Sequence, residues 1–571
     1  MAVTLEKLAP PNDLTDPEQN TLFQYIFRRL AAYRNAAQLH ALAEYHLSTT
    51  PEREKQWRKN MFSKNLNEWA QDLCYQAYMV CGQPSGDECP VLDELSDTSI
   101  GDLPEISHQR LASVLNAVLF LSITSKKEYS ARTRSFLFSN RFPDDAVPDE
   151  ELIATTLKHP EQALQEAQQK AEASTKDHAS RNKTLRMVGM GLGALTGGAL
   201  VAITGGLAAP LVGASFTAVL GWLGVGGTAA GLLASGLAGS SAVCAAVFGA
   251  YGAKSASTMV QRHTREIRDL AIVPVSSKKD GDETLGVRLC VSGWLASEAD
   301  VTAPWTVFGG DETLALRWEV KALEELSDAL YTLIKTNAMK YVRVEIIRHT
   351  VFAALMASLA PIALLKIGEI IGNGLHPIFD AHSHSADNPW MNTRALALKA
   401  GAVLGDLLSK RVFGNRPVTL IGYSFGSLVI LEALRRVASL PPSETSHLIQ
   451  DVYLFGTPAS TDPTVWSSVR RLVAGRVVNG YSSKDYVLAV LSRASSGSWK
   501  VAGLHPVDVQ GVENVHFDEI DGHTSWRERI GQCLKDVGAP KINDDEVKAQ
   551  LKAVIEERST EEAQEAVEEG M

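Results

Sequence analysis

The sequence predicts an α/β fold, a mostly parallel and doubly wound sheet, preceded by a helical region and a long apolar stretch. Three observations carry this. From about Gly286 onward, short apolar runs of strand type alternate with segments of helical periodicity. Within them, Pro417-Val-Thr-Leu-Ile-Gly-Tyr-Ser-Phe-Gly-Ser-Leu-Val-Ile430 passes from a β-branched run through Gly-x-Ser-x-Gly into a helical pattern. Between Arg186 and Lys254 lie 67 consecutive uncharged residues rich in Gly, Ala, Leu and Val.

Residues 1–160 read as a helical N-terminal domain. Asp16-Pro17-Glu18-Gln19 offers an N-cap, a proline in the first turn and a glutamine able to close a capping box. Leu22, Ile26 and Leu30, with Phe23 and Phe27 beside them, then form one apolar stripe. Further helices are expected over 53–82 and 108–124. No catalytic residue types recur here at a useful spacing, so this domain is expected to pack on, or regulate, the C-terminal part of the chain; the sequence does not identify its protein partners.

Residues 161–186 are charged and alanine-rich and read as a solvated helical linker. Their heptad positions are mostly alanine, which gives a coiled coil little support. The uncharged stretch 187–253 far exceeds the roughly 20 residues that one membrane-crossing helix needs. Gly189, Gly193 and Gly197 recur every four residues, as do Gly227 and Gly231, a spacing that lets helices approach closely in lipid. Pro210 or the Gly224–Gly227 cluster could supply a turn. Basic residues flank both ends, with Arg181, Lys183 and Arg186 before, and Lys254, Arg262, Arg265 and Arg268 after. Positive charge stays cytoplasmic, so an even number of crossings is expected, most simply a transmembrane hairpin. A hairpin dipping into one leaflet is a variant of this reading, and a glycine-rich helical pair buried in protein is the alternative.

Residues 265–540 carry the sheet. Strand, Gly422-Tyr-Ser424-Phe-Gly426 and helix together form the nucleophile elbow of an α/β-hydrolase, with Ser424 as nucleophile and Gly422 and Gly426 allowing the sharp turn. A serine hydroxyl is a weak nucleophile and needs a histidine to take its proton. In this fold the residues follow in the order serine, acid, histidine. Asp485, after the strand Val477–Tyr481, and His523, after the strand Val512–Phe517, satisfy that order and lie past strand ends, where open α/β sheets place their sites. Asp462 is the competing acid; His516 and His505 are the competing histidines. The strand Gly286–Ser292 leads into Gly293 and Trp294, whose turn is expected to supply one oxyanion-hole N–H, with Phe425 supplying the other. An ordinary strand-end turn is the plain alternative for Ser292-Gly-Trp294. Thr350–Leu365, sixteen uncharged residues, is short for a full crossing and suits a lid, interfacial or buried helix. The tail 541–571 is acidic and reads as a solvated helix or disordered segment.

Composition excludes several classes. With 66 acidic against 55 basic residues and no basic tract, nucleic acid is not an expected partner. The N-terminus lacks a basic end followed by an apolar core, so no secretory signal is expected. The six cysteines then read as free thiols. Cys74, Cys81 and Cys89 match no zinc spacing, and His382, His384 and Asp387 read as an exposed loop, so neither a metal nor another cofactor is expected.

Val291-Ser-Gly-Trp-Leu295, Leu314-Ala-Leu-Arg-Trp-Glu319, Asn388-Pro-Trp390, Gly422-Tyr-Ser-Phe-Gly-Ser427, Tyr481-Ser-Ser-Lys-Asp485, Ala502-Gly-Leu504, Gly511-Val-Glu-Asn514 and Gly522-His523 occur in this order. As a set they make the chain resemble the transmembrane and coiled-coil domain-containing protein 4 family over roughly residues 110–530. The resemblance implies a membrane protein with an α/β-hydrolase domain and a triad on Ser424, Asp485 and His523. It supplies no substrate. The combined expectation is an integral membrane serine hydrolase of lipase or esterase type, acting on a lipid or other ester at the bilayer. Both termini and the catalytic domain would be cytosolic. A hydrolase fold without activity, serving as a trafficking or tethering module, is the alternative.

Overall fold

In the computed structural model of the chain, the residues described are 7–163 (85 and 87 apart), 165, 227–249, 269–275, 284–341, 389–496 (446 apart), 500–554 and 556. They fall into two units. One is drawn from Met1–Leu42, Gln56–Ala250 and Phe413–Pro417, the other from Ala43–Lys55, Tyr251–Val412 and Val418–Met571.

The first unit is helical. Its long helix Asp16–Leu47 begins where expected, but the cap lies one residue earlier. Glu18 Oε2 accepts from both the N–H (2.9 Å) and the hydroxyl (2.8 Å) of Thr15, and these bonds hold its carboxyl below the usual range. Thr15 and Glu18 stand at capping-box spacing, so they take the place assigned to Asp16 and Gln19. Leu22, Phe23, Ile26 and Leu30 are buried as the stripe requires. Glu52–Val80 and His108–Lys126 follow, the latter buried almost all round, as its continuous apolar run demands. Gly227–Ala238 packs on it. A Cβ at Gly236 would stand 2.8 Å from Thr124 Oγ1 and 2.9 Å from a Phe120 ring carbon.

Among the described residues no single helix is long and apolar enough to cross a membrane. The pair Ala229–Ala238 and Ser240–Val247, bent by 65°, passes that test only together, by length and composition. Gly189, Gly193, Gly197, Pro210 and Gly224 lie outside the described residues. So do most of the linker 161–186, the segment 350–365, and His382, His384 and Asp387.

The second unit is a mostly parallel seven-stranded sheet with helices. Its strands are β1 (Leu270–Pro274), β2 (Val287–Val291), β3 (Glu312–Trp318), β4 (Val418–Tyr423), β5 (Ile449–Phe455), β6 (Val477–Tyr481) and β7 (Val512–His516). Their spatial order is β1-β3-β2-β4-β5-β6-β7, with only β1 antiparallel to its neighbour. β2, β4 and β5 are buried along their whole length, which is why they read as unbroken apolar runs. The edge strand β7 has mostly exposed or half-buried side chains.

The order places a switch point in the middle of the sheet. From β2 the chain steps one way to β3; from β4 it steps the other way to β5. β2 and β4 are neighbours, with Val291 opposite Gly422. The connections leaving their carboxyl ends therefore run to opposite sides, the place where open α/β sheets put their sites. Ser292–Leu295 leaves β2 there, and Ser424 leaves β4.

Helix Pro389–Ser409 packs closely on helix Phe425–Ala438, the one that follows Ser424. Its Gly401 and Gly405, four residues apart, make the approach possible. A Cβ at the first would meet Val429 O at 2.6 Å, and at the second Arg436 Cβ at 2.8 Å.

Candidate active site

Ser424 leaves β4 with φ 53° and ψ −129°, a backbone conformation a non-glycine residue adopts only when its surroundings hold it there, at about 1–3 kcal/mol. The surroundings are hydrogen bonds among the turn, β4 and β5. The Ser424 N–H donates to Phe455 O (2.9 Å), the Ser427 hydroxyl to Gly422 O (2.7 Å), and the Phe455 N–H to Ser427 Oγ (3.1 Å). The turn has no room to spare. A Cβ at Gly422 would stand 2.8 Å from Ile430 Cδ1, and one at Gly426 would strike the Val291 carbonyl.

The structure brings Ser424, His523 and Asp485 together in one chain of hydrogen bonds. Ser424 Oγ lies 2.6 Å from His523 Nε2, and His523 Nδ1 lies 2.7 Å from Asp485 Oδ2. With the proton assigned to Nδ1, the imidazole donates to the carboxylate, and Nε2 is free to accept from the serine. Asp485 Oδ1 also accepts from the Leu488 N–H (3.0 Å), and Oδ2 from the Trp526 indole N–H (3.0 Å). All three members have 0% exposure.

The competing residues lie elsewhere. Asp462 is exposed and caps helix Pro463–Leu472, accepting from the Thr464 N–H (2.9 Å). His516 Nε2 lies 3.2 Å from the Ser483 hydroxyl, on the exposed side of β7. His505 is exposed in the loop before β7, where its carbonyl accepts from Asn479 (3.2 Å).

Gly293 presses on the elbow. A Cβ there would lie 2.5 Å from Gly426 N and closer still to Tyr423 O and Phe425 N. The first N–H groups of a helix have no intrahelical acceptor, and among the described residues no other group accepts from the Phe425 N–H. The loop carrying Gly293 and Trp294 is pinned from several sides. Ser292 Oγ accepts from Trp305 Nε1 (3.1 Å) and donates to Asp300 O (2.8 Å), while Ser292 O accepts from Trp318 Nε1 (3.0 Å). Asp300 Oδ2 accepts from the N–H groups of Ala296 (2.7 Å) and Ser297 (3.1 Å), and its Oδ1 from Arg527 (2.8 Å). Burial pushes the Tyr423 phenol well up, so it stays neutral and donates to Trp294 O (3.1 Å). This is more than a strand-end turn needs.

Gly293→Ala is therefore expected to lower the melting midpoint of the purified protein by several degrees, the effect of about 2–3 kcal/mol of overpacking. Gly231→Ala is the control. Nothing lies within 4 Å of a Cβ there, and alanine favours its helix, so the midpoint should hold or rise. Equal midpoints for the two variants would refute the close approach at Gly293.

Sequence reasoning missed Trp526, Asp300, Arg527 and the role of Trp390. The Trp390 ring stands 4.4 Å from that of Phe425 and 6.0 Å, edge-on, from that of His523. Its only signal was the motif Asn388-Pro-Trp390. Among the described residues no three His, Cys, Asp or Glu side chains are placed to hold a metal. The Cys74 and Cys89 sulfurs lie 3.8 Å apart, and burial raises both thiols, a pair suited to packing rather than reactivity.

Comparison with known proteins places the chain in a family. It belongs to the family described as "Protein of unknown function (DUF726)", matched over residues 182–540. It is similar to an uncharacterized membrane protein of Schizosaccharomyces pombe, with 34% identity over 77% of this chain and 74% of the relative. It is also similar to "Transmembrane and coiled-coil domain-containing protein STS1" of Oryza sativa subsp. japonica, 32% identical over 80% of this chain and 69% of that one. "Probable lipase MIL1" of Saccharomyces cerevisiae is 32% identical over 54% of this chain, but only 27% of its own length is covered. No solved structure matches. The fission-yeast and rice relatives are thus named as membrane proteins, and the rice name agrees with the motif resemblance at that coarser level.

Proposed function

We propose that the chain is a membrane-associated serine hydrolase with an α/β-hydrolase domain at about 265–540, within the transmembrane and coiled-coil domain-containing group numbered 4. Its substrates would be lipid or other esters. The observation that carries this reading is the hydrogen-bonded chain Ser424–His523–Asp485 at the switch point of the sheet. In the proposed reaction Ser424 Oγ attacks the ester carbonyl while His523 Nε2 takes its proton. Asp485 holds the imidazolium that forms. The N–H groups of Phe425 and the Gly293–Trp294 turn stabilise the oxyanion. His523 then protonates the departing alkoxide, leaving an acyl-Ser424. Water, deprotonated by His523, attacks that acyl group, and collapse returns the serine and releases the carboxylic acid. The lipase name of the yeast relative agrees with an ester substrate.

The test is hydrolysis of chromogenic and lipid esters by the purified full chain, together with labelling by a fluorophosphonate. Turnover with labelling supports the proposal. Absence of both sinks it in favour of the non-catalytic tethering module.

We further propose that residues 187–253 form a membrane hairpin with both termini and the hydrolase domain cytosolic, closed through Gly189, Gly193 and Gly197, its second limb also packing through Gly236 on helix His108–Lys126. The support is the uncharged length with basic flanks and the membrane names of the relatives. On sealed vesicles, tags at residues 1 and 571 should both be digested, and alkaline carbonate should fail to extract the chain. Opposite accessibility of the tags, or full release by carbonate, would overturn it.

A further inference from the structure

Asp485 is held by a residue that no sequence motif announced. We propose that Trp526 is a positioning residue for the triad, its indole N–H fixing the Asp485 carboxylate and setting how strongly that carboxylate pulls on His523. This rests on the serine-hydrolase reading above. The indole donates to Oδ2 at 3.0 Å, the same oxygen that His523 Nδ1 approaches at 2.7 Å, while the Leu488 N–H holds Oδ1 at 3.0 Å. Asp485, His523 and Trp526 are all 0% exposed. A carboxylate in such a place must find its donors within the protein. The indole is itself immobilised, with its ring 6.1 Å from Phe455 and 5.8 Å from Phe517, and its Cδ1 2.7 Å from where a Cβ on Gly456 would sit. Trp526 lies three residues past His523, in the first turn of helix Ser525–Asp536. One short stretch therefore delivers both the base and the donor that orients the acid.

Two donors share Oδ2, so the indole draws charge that would otherwise stabilise the imidazolium. The other titratable groups around His523 are Tyr486, beside the acid and kept neutral chiefly by burial, and Asp521 on the histidine's own loop, which accepts from Ser525 (2.5 Å).

Trp526→Phe removes the N–H and keeps an aromatic ring. Expected at a fixed neutral pH are a roughly 10-fold fall in kcat, because more of His523 stays protonated and cannot take the serine proton, and a KM within about twofold. The acidic limb of the kcat/KM profile should also move to higher pH, because an Asp485 relieved of one donor holds the protonated imidazole more firmly. Should this variant fail to fold, 3-benzothienylalanine at position 526 replaces N–H by sulfur at equal size and gives the same readout. An unchanged kcat and pH profile overturns the proposal, as does a fall in rate with an unmoved profile, which is what loosened packing alone would give. Inactive wild-type protein would instead sink the hydrolase reading itself.

Discussion

Ser424→Ala is expected to lower ester turnover by about 10⁶, the scale seen when a triad serine is removed, and to abolish fluorophosphonate labelling. Under the proposed chemistry this hydroxyl forms the acyl bond, and among the described residues it is the one placed 2.6 Å from His523 Nε2. The melting midpoint should stay close to wild type, since alanine bears the same backbone strain at φ 53° and leaves the bonds to Phe455 and Ser427 intact. Equal labelling of the two proteins would assign the chemistry to another serine and refute the triad.

Asp485→Asn should cost about 10⁴ in kcat. The carboxylate accepts three bonds, from His523, Trp526 and the Leu488 N–H. An amide has one accepting oxygen, so its NH₂ must point at a donor. If the NH₂ takes the Oδ2 place, the imidazole must carry its proton on Nε2, where the serine proton has to go; if it takes the Oδ1 place, it faces the Leu488 N–H, and the oxygen left to His523 has no full charge to hold the imidazolium. Asp462→Asn should leave kcat within about twofold, because that exposed side chain only caps helix Pro463–Leu472. A reversal of the two outcomes would move the acid to β5's loop and break the proposed arrangement.

The features readable in the sequence are those set by local chemistry. The β-branched run at 418–421 has to be a buried strand, and Gly-x-Ser-x-Gly after it has to be a sharp turn. Asp485 and His523 are candidates in the sequence because each follows a strand end, where open α/β sheets place their sites. Long-range partners are invisible at that level. Trp526 reaches Asp485 across 41 residues, and Arg527 reaches Asp300 across 227. Nothing in a window of ten residues distinguishes these from any tryptophan or arginine at a helix start. β1 was missed for a related reason: Leu270–Pro274 is short, and only its antiparallel pairing with β3 makes it a strand. The four-residue glycine spacing was read in 187–231, where it suggested helices meeting in lipid. The structure carries another such pair, at Gly401 and Gly405, between helices flanking the sheet. The spacing reports close helix contact, whatever the solvent.

Trp390, resting against Phe425 and His523, has a consequence for how the protein would be assayed. Ser424, His523 and Asp485 have no exposed surface, so under the proposed chemistry a substrate reaches Ser424 only after neighbouring side chains give way, and the Trp390 indole is one such neighbour. Under the proposed chemistry the protein would then idle in dilute solution. Its time courses with soluble esters would begin with a lag, and small phosphonates would inactivate it far sooner than bulky ones.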